Sequence, residues 1–599
     1  MGTESEGWRV PATWKAFNPA QREAAQHREG PGMVIAAAGS GKTAMLLGRI
    51  QYLIEACGVP ASKILASTFT RKAAEEMEVR LAALIGERVA AKVSLGTLHS
   101  VAYRMVQPAY GQEWQLQTDT SWMIERVLAP ASAYHPYGVG PILKPAEAAL
   151  GIARAKAEQR IPPEQEAIGK VYRAYEHYRK EKKVYGLEDL VNDATLLCRT
   201  RPAAREAWAS RWDYVLVDEF QDINWSQWQL LLELTNRTQN LFVVGDDWQA
   251  IYGFRGARPD LMTQHFHTQF PGAKVYRLTT NYRSHELIVD LGHRIIEQNR
   301  GHQLDKTVVA FREENEDVVV QILEVENEAV EAKCVVEEIR RHAQVPREEM
   351  AILYRSHFQS RTYEEALSQA GIPYQVTGGQ PFYASPVIKV LLDYLRATSP
   401  ESGPEVWGPL LNRPKRFIPK DVVTEVMEGG REAMLSHPKC RSFANVLKAL
   451  SRIDNPSSAL SWLLQHVEGV VSEETLEEPW LESFVQSASR FATVQAYLNH
   501  VDRMIEESSA QAPRTGGVRL STVHRSKGLE FHTVFLVGMS EGLFPHHKSR
   551  SPEELREETR LCYVGITRAK ENLYVLSARE YGGKIRAVSR YVKALQETP

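Results

Sequence analysis

The sequence predicts an α/β protein with two parallel-sheet domains, each interrupted by a mostly helical insert. Three observations carry this. Short apolar strands alternate with helical patterns in two separate regions, which implies parallel sheets covered by helices. The strand segments are near-continuous apolar runs, as in strands buried on both faces. Between the strands of each set lies a long stretch of helical periodicity, and 599 residues are too many for one core.

In chain order, the first region carries "GMVIAAAG", "KILASTFT", "YVLVDE", "LFVVGD" and "KVYRL". The second carries "VVVQILEV", "MAILYR", "VRLSTVH", "TVFLVGM" and "LYVLSA". A helical stretch that includes "EAIGKVYRAYEHYRKEKK" splits the first set. Another, bracketed by "ATSPESGP" and "SSAQAPRTGG", splits the second, and the Pro, Ser and Gly of these brackets suit hinges. The first domain is therefore expected at 1–99 and 213–277 around an insert at 100–212. The second is expected at 278–396 and 518–599 around an insert at 397–517.

Bulk composition narrows the function classes. Lys+Arg 72 against Asp+Glu 74 leaves a net charge of −2, so any nucleic-acid binding must come from local patches. Five cysteines without a CxxC pair argue against zinc, iron–sulfur and disulfide frameworks and suit a reducing cytoplasm. The start "MGTESEGWRV" has no apolar signal region, and Glu6 stands where a myristoylation pattern needs Ser or Thr. No apolar run reaches membrane-spanning length. A cytoplasmic protein without membrane association is expected.

"AAAGSGKT", residues 36–43, follows a strand and opens a helix. Gly39, Ser40 and Gly41 can turn backbone N–H groups toward phosphates. Lys42 can reach the terminal phosphates, and Thr43 can ligate Mg²⁺. "YVLVDEFQD", residues 214–222, runs from a buried strand into carboxylates that repel each other unless a cation sits nearby. In a phosphate-loop protein that cation is Mg²⁺, held by Asp218, while Glu219 orients and deprotonates the attacking water. The expected chemistry is hydrolysis of a nucleoside triphosphate.

Ten segments in order then resemble the UvrD/Rep/PcrA helicases of superfamily 1A over nearly the whole chain. They are "FNPAQREAA", "AAAGSGKT", "TFTRKAAEEM", "GTLHS", "VDEFQD", "VVGDDWQAIYGFRGA", "LTTNYRS", "AILYRSHFQSR", "TVHRSKGLEF" and "YVGITRAK". The resemblance implies two RecA-like motor domains, ATP and Mg²⁺ as cofactors, and single-stranded DNA and single-strand/duplex junctions as partners. It gives Gln21 to the adenine edge, Tyr282 to stacking on its ring, Gln249 to the γ-phosphate and Glu530 to the ribose. It makes Arg283 and Arg568 a pair reaching the γ-phosphate from the second domain, and such arginines typically supply ~10³–10⁵ in rate. It turns Phe69, Tyr252 and Phe254 toward DNA bases, with Thr97, His99, Arg255, Tyr354, Arg355 and His524 adding phosphate and base contacts.

The chain departs from the family pattern in places. Ala44 stands where an Arg or Lys commonly covers the other face of the adenine. "KRFIPK" replaces a glycine turn that touches duplex, and Pro419 has no N–H to donate. Val387 in "SPVIKV" replaces the usual acid. After "VLSA" the strand-splitting hairpin is short, with Tyr581 at the usual aromatic position. The stretch after Lys570 is too short for a nuclease domain or the family's partner-binding tail.

The leading expectation is an ATP-dependent 3′→5′ DNA helicase, its polarity implied by the resemblance alone, in DNA repair or replication. The alternative is a single-strand translocase that displaces proteins or powers an unknown partner. A nucleotide-gated DNA binder without turnover is disfavoured by the intact Lys42, Glu219 and Arg568.

Overall fold

The computed structural model describes residues 11–111, 113–132, 135–312, 318–378, 380–510 and 516–596. The start "MGTESEGWRV" and much of "SSAQAPRTGG" lie outside the described residues. The chain divides into two compact units: Met1–Val289 with Asn299–Glu313, and Asp290–Gln298 with Glu314–Pro599.

The first unit is built on β1 (Gly32–Ala36), β2 (Ile64–Thr68) and β3 (Ser94–Thr97). Its insert holds a two-stranded pair, β4 (Gln115–Leu116) and β5 (Val184–Tyr185). The sheet resumes with β6 (Tyr214–Val217), β7 (Leu241–Gly245) and β8 (Lys274–Leu278). The six sheet strands run parallel in the order β3-β2-β6-β7-β1-β8. Side chains alternate between the faces of a strand. Met33 and Ile35 of β1 accordingly enter one core with Leu65, Val215 and Val243, while Val34 and Ala36 enter the other with Leu46, Leu216 and Val244. Both faces are covered, which explains the unbroken apolar runs. The insert has a small core of its own around Met123, Val127, Val171 and Tyr175.

Strand order decides where chemistry collects. β6, β7 and β1 are neighbours, with Val217 beside Val243 and Ile35 beside Gly245. The loops leaving their carboxyl ends converge, as in other open parallel sheets where ligands bind. β8 pairs with β1 on the other side and feeds β9 (Thr280–Asn281), which pairs with β10 (Val309–Ala310).

That last pairing moves the expected boundary. The hand-over read at 278 falls after Val289, and Asn299–Glu313 returns to the first unit. Tyr282 and Arg283 therefore belong to the unit that carries "AAAGSGKT". By packing, then, Arg283, expected from the second domain, lies in the first unit. The cause is local bonding, described below, which ties residues 281–284 to the glycine loop.

The second unit carries β11 (Val320–Asn327), β12 (Met350–Tyr354), β13 (Tyr374–Val376), β14 (Val518–Thr522), β15 (Phe531–Leu536) and β16 (Ala569–Tyr581). They form a parallel sheet in the order β11-β16-β15-β12-β14-β13. β17 (Lys584–Ile585) folds back antiparallel on β16 through Gly582 and Gly583 at φ 61° and 74°. Positive φ at both central residues is what a two-residue hairpin requires. The helical insert has its own core, with Trp407, Phe443, Leu460, Phe484 and Tyr497 buried together. All ten strand segments read from the sequence form strands, and β3 and β13, the edges of their sheets, were not foreseen. Among the described residues, no helix is long and apolar enough to cross a membrane.

Candidate functional site

The glycine loop is held open by its neighbours. Gly39 and Gly41 sit at φ 67° and 76°, in the left-handed region. A Cβ on Gly39 would lie 2.7 Å from both Arg283 Cβ and Asn281 Oδ1, and one on Gly41 would lie 2.7 Å from Gln21 Nε2. Only glycine tolerates both the dihedral and the approach. The helix Lys42–Glu55 starts at Gly41 with no side-chain cap, so its first-turn N–H groups face the loop. Thr43 stands in that first turn.

Gln21 and Tyr282 brace this loop. Asn18 and Gln21 form a reciprocal cap on the helix Pro19–Ala25, and Gln21 Nε2 donates to the Ser40 carbonyl at 2.9 Å. Tyr282 donates its backbone N–H to Gly39 O at 2.9 Å, and its hydroxyl accepts from Asn18 Nδ2 at 2.8 Å. The Asn281 carboxamide oxygen accepts from the N–H groups of Arg283 and Ser284. The Tyr282 ring lies 4.8 Å from that of Phe311, which is 65% exposed.

The acids arrive from β6 and β7. Asp218 is buried at the end of β6, and its Oδ1 accepts from the Glu219 N–H at 3.0 Å. Glu219 adopts φ 53°, ψ 44°, a left-handed conformation that costs a non-glycine residue about 1 kcal/mol. Gln221 Nε2 donates to Glu219 Oε2 at 2.5 Å, and Gln221 Oε1 accepts from the Asp246 N–H at 2.9 Å. Asp246 Oδ2 accepts from Gln249 Nε2 at 2.5 Å. One hydrogen-bonded path thus runs from Glu219 to Gln249. Thr43 and Asp218 are hard oxygen donors, the set that suits Mg²⁺.

Sequence reasoning missed Lys306. Its side chain is fully buried, with Nζ 2.5 Å from Asp246 Oδ1, 2.7 Å from Asp247 Oδ1 and 3.2 Å from Ala36 O. It also lies 4.5 Å over the Trp248 ring. Burial alone would raise the Asp246 carboxyl, but Lys306 and then Lys42 outweigh it and hold the group below its ordinary range. No local pattern around Lys306 betrays these partners, which lie some sixty residues earlier in the chain.

A second cluster grows from the same segment. Phe69 stacks on Tyr252 at 4.9 Å and 17°, Tyr252 lies 6.0 Å from Phe254, and the Arg255 guanidinium lies within 6 Å of both Tyr252 and Phe254 rings. Phe254 is 55% exposed. The structure thus brings these four together on the first unit. Thr97 Oγ1 caps the helix Leu98–Tyr110 by accepting from Ser100 N–H, with His99 in its first turn; burial lowers the His99 imidazole below its ordinary range.

The second unit's candidates are more mixed. Tyr354 ends β12 and is wholly buried in the sheet core, so the expectation that it meets DNA is corrected: its ring has no open face. Arg355 clasps both oxygens of Glu558 at 2.6–3.1 Å. Arg568 is buried and donates to the carbonyls of Val564 and Leu529 at 3.0 Å. Glu530 pairs with Lys570 at 3.3 Å, and His524 stands in the short helix Val523–Ser526. Tyr581 is buried, while Ile585 is 90% exposed in the strand after the hairpin turn.

The model of the UvrD/REP helicase N-terminal domain matches residues 17–129 and 142–271, and that of the UvrD-like helicase C-terminal domain matches 276–438 and 440–580. The chain belongs to the UvrD/REP helicase family. YjcD of Bacillus subtilis is 33% identical, covering 97% of this chain and 81% of that protein. The ATP-dependent DNA helicase Rep of Salmonella typhimurium is 30% identical, covering 95% of this chain and 92% of its own. The ATP-dependent DNA helicase PcrA of Staphylococcus epidermidis is 30% identical over 97% and 87%.

Proposed function

We propose that this UvrD/REP-family protein is an ATP-dependent DNA helicase that moves 3′→5′ along single-stranded DNA and separates duplex ahead of it. One observation carries the reading. The ten residues from Asp246 to Arg255 begin at the network that holds Gln249 and end in the Phe69–Tyr252–Phe254 cluster, whose Phe254 ring is exposed. A change felt at the γ-phosphate by Gln249 is thereby transmitted over a short, bonded stretch to a surface suited to stacking bases.

The residues divide the work. The loop N–H groups and Lys42 bind the phosphates, Gln21 and Tyr282 take the base, and Glu530 takes the ribose. Thr43 and Asp218 hold Mg²⁺, which supplies neutralising charge on the phosphates when bound. Glu219 takes the proton of the attacking water, and Arg283 and Arg568 stabilise the developing charge. Phe69, Tyr252, Phe254 and Arg255 grip the strand, with Thr97, His99, Arg355 and His524 as further contacts. Repair or replication of DNA is the setting proposed.

The test is strand displacement from duplexes with a 3′ or a 5′ tail, with Glu219→Gln as control. Unwinding from the 3′ tail alone supports the reading, and preference for the 5′ tail overturns it. A second reading, translocation with weak unwinding, is favoured by the hairpin: its aromatic, Tyr581, is buried rather than presented. Brisk unwinding by the lone protein would reject that second reading.

A further inference from the structure

We propose that Lys306 is a positioning residue of the nucleotide site, neutralising Asp246 and Asp247 so that Lys42 stays available to the phosphates. The inference rests on the ATP-site reading above and extends it to a residue to which neither motif nor family assigns a role here.

A lysine buried to this degree is rare and persists only when paired. Lys306 faces two carboxylates at 2.5 and 2.7 Å, and its third contact is the carbonyl of Ala36, the last residue of β1 before the glycine loop. Its segment is docked reciprocally: Leu304 N–H donates to Asp247 Oδ2 at 2.7 Å, and Trp248 Nε1 donates to Leu304 O at 3.1 Å. One ammonium therefore joins the strand that launches the phosphate loop to the turn that holds Gln249.

The charge arithmetic gives the residue its purpose. Asp246 and Asp247 are buried carboxylates at adjacent positions, and two negative charges there need compensation. Besides Lys306, the cation that acts on Asp246 is Lys42; its other neighbours, Gln249 and Gln221, are neutral amides. Without Lys306, Asp246 keeps the Trp248 N–H on Oδ1 and the Gln249 amide on Oδ2, and the positive charge left to balance it is the phosphate-binding lysine. A Lys42 drawn toward Asp246 is a Lys42 withdrawn from ATP. The two carboxylates are not equivalent in this respect. Asp247 keeps the Leu304 N–H on its second oxygen, and the Asp246 carboxylate lies in the field of Lys42.

The experiment measures ATP hydrolysis by the full chain with saturating single-stranded oligonucleotide, resolving KM from kcat. Lys306→Met is expected to raise the KM for ATP by about tenfold or more, with a smaller change in kcat. Adding Asp246→Asn should return most of that loss, and adding Asp247→Asn should return little. A purely structural lysine would move kcat and KM together, or be rescued equally by either asparagine; either result overturns the proposal, as does an unchanged KM. Should Lys306→Met not fold, the two double variants are compared directly, and a lower KM in the Asp246→Asn pair is required. Wild-type protein that hydrolyses no ATP would fell the ATP-site reading itself, a result distinct from a failure of Lys306 alone.

Discussion

At the scale of single residues, the site depends on geometry that few side chains tolerate. Glu219→Gln preserves shape and removes the base, so phosphate release in the presence of single-stranded DNA should fall by roughly 10²–10⁴ while ATP binding survives. Gly41→Ala is penalised twice, by a φ of 76° and by Gln21 Nε2 at 2.7 Å. It should abolish binding of a fluorescent ATP analogue while the protein stays folded by circular dichroism. Lys42, Thr43, Asp218 and Glu219 were legible in the sequence because a strand, a glycine loop and a carboxylate pair each leave a local pattern. Lys306 was illegible because its meaning lies in partners some sixty residues away. Tyr354 was misassigned because a motif at a strand end does not say which side chain turns into the core.

At the scale of elements, apolar runs identified ten strands, and two of the strands they missed share a reason. β3 and β13 have four and three residues and lie at sheet edges, where one neighbour suffices and little apolar pattern is required. Packing of the helix Glu328–Arg341 against the second sheet buries Glu331, which accepts from Tyr363 Oη at 2.5 Å and Gly538 N–H at 3.0 Å. Burial lifts its carboxyl to about 7. Because the folded value lies above the unfolded one, the folded form keeps a proton that the unfolded chain releases. Stability is then greatest below the unfolded value and declines by roughly 3 kcal/mol as pH rises through about 7. Glu331→Gln can accept from the Gly538 N–H through its oxygen and donate its Nε2–H to Tyr363 Oη in place of the accepted bond, and it cannot ionise, so its melting temperature should match wild type near pH 5 and exceed it at pH 8. A constant gap across that range would refute this account. On the first unit, Phe254→Ala should weaken binding of a single strand by ~1–3 kcal/mol, measured by fluorescence anisotropy, and leave ATP hydrolysis without DNA unchanged.

At the scale of the whole molecule, a net charge of −2 means that no global field draws DNA to this chain. Affinity must come from local phosphate contacts and stacking, so it should fall linearly in logarithm with salt and vary little among unstructured sequences. A tenfold preference among mixed oligonucleotides would count against this. Glu219 adds a last consequence. Its left-handed backbone stores about 1 kcal/mol, and a glycine there would release that strain but give the unfolded chain more freedom and take the carboxylate from the buried Gln221 amide. The strain is therefore matched by what the carboxylate holds: Glu219→Gly is expected to melt no higher than the native chain while burning no fuel.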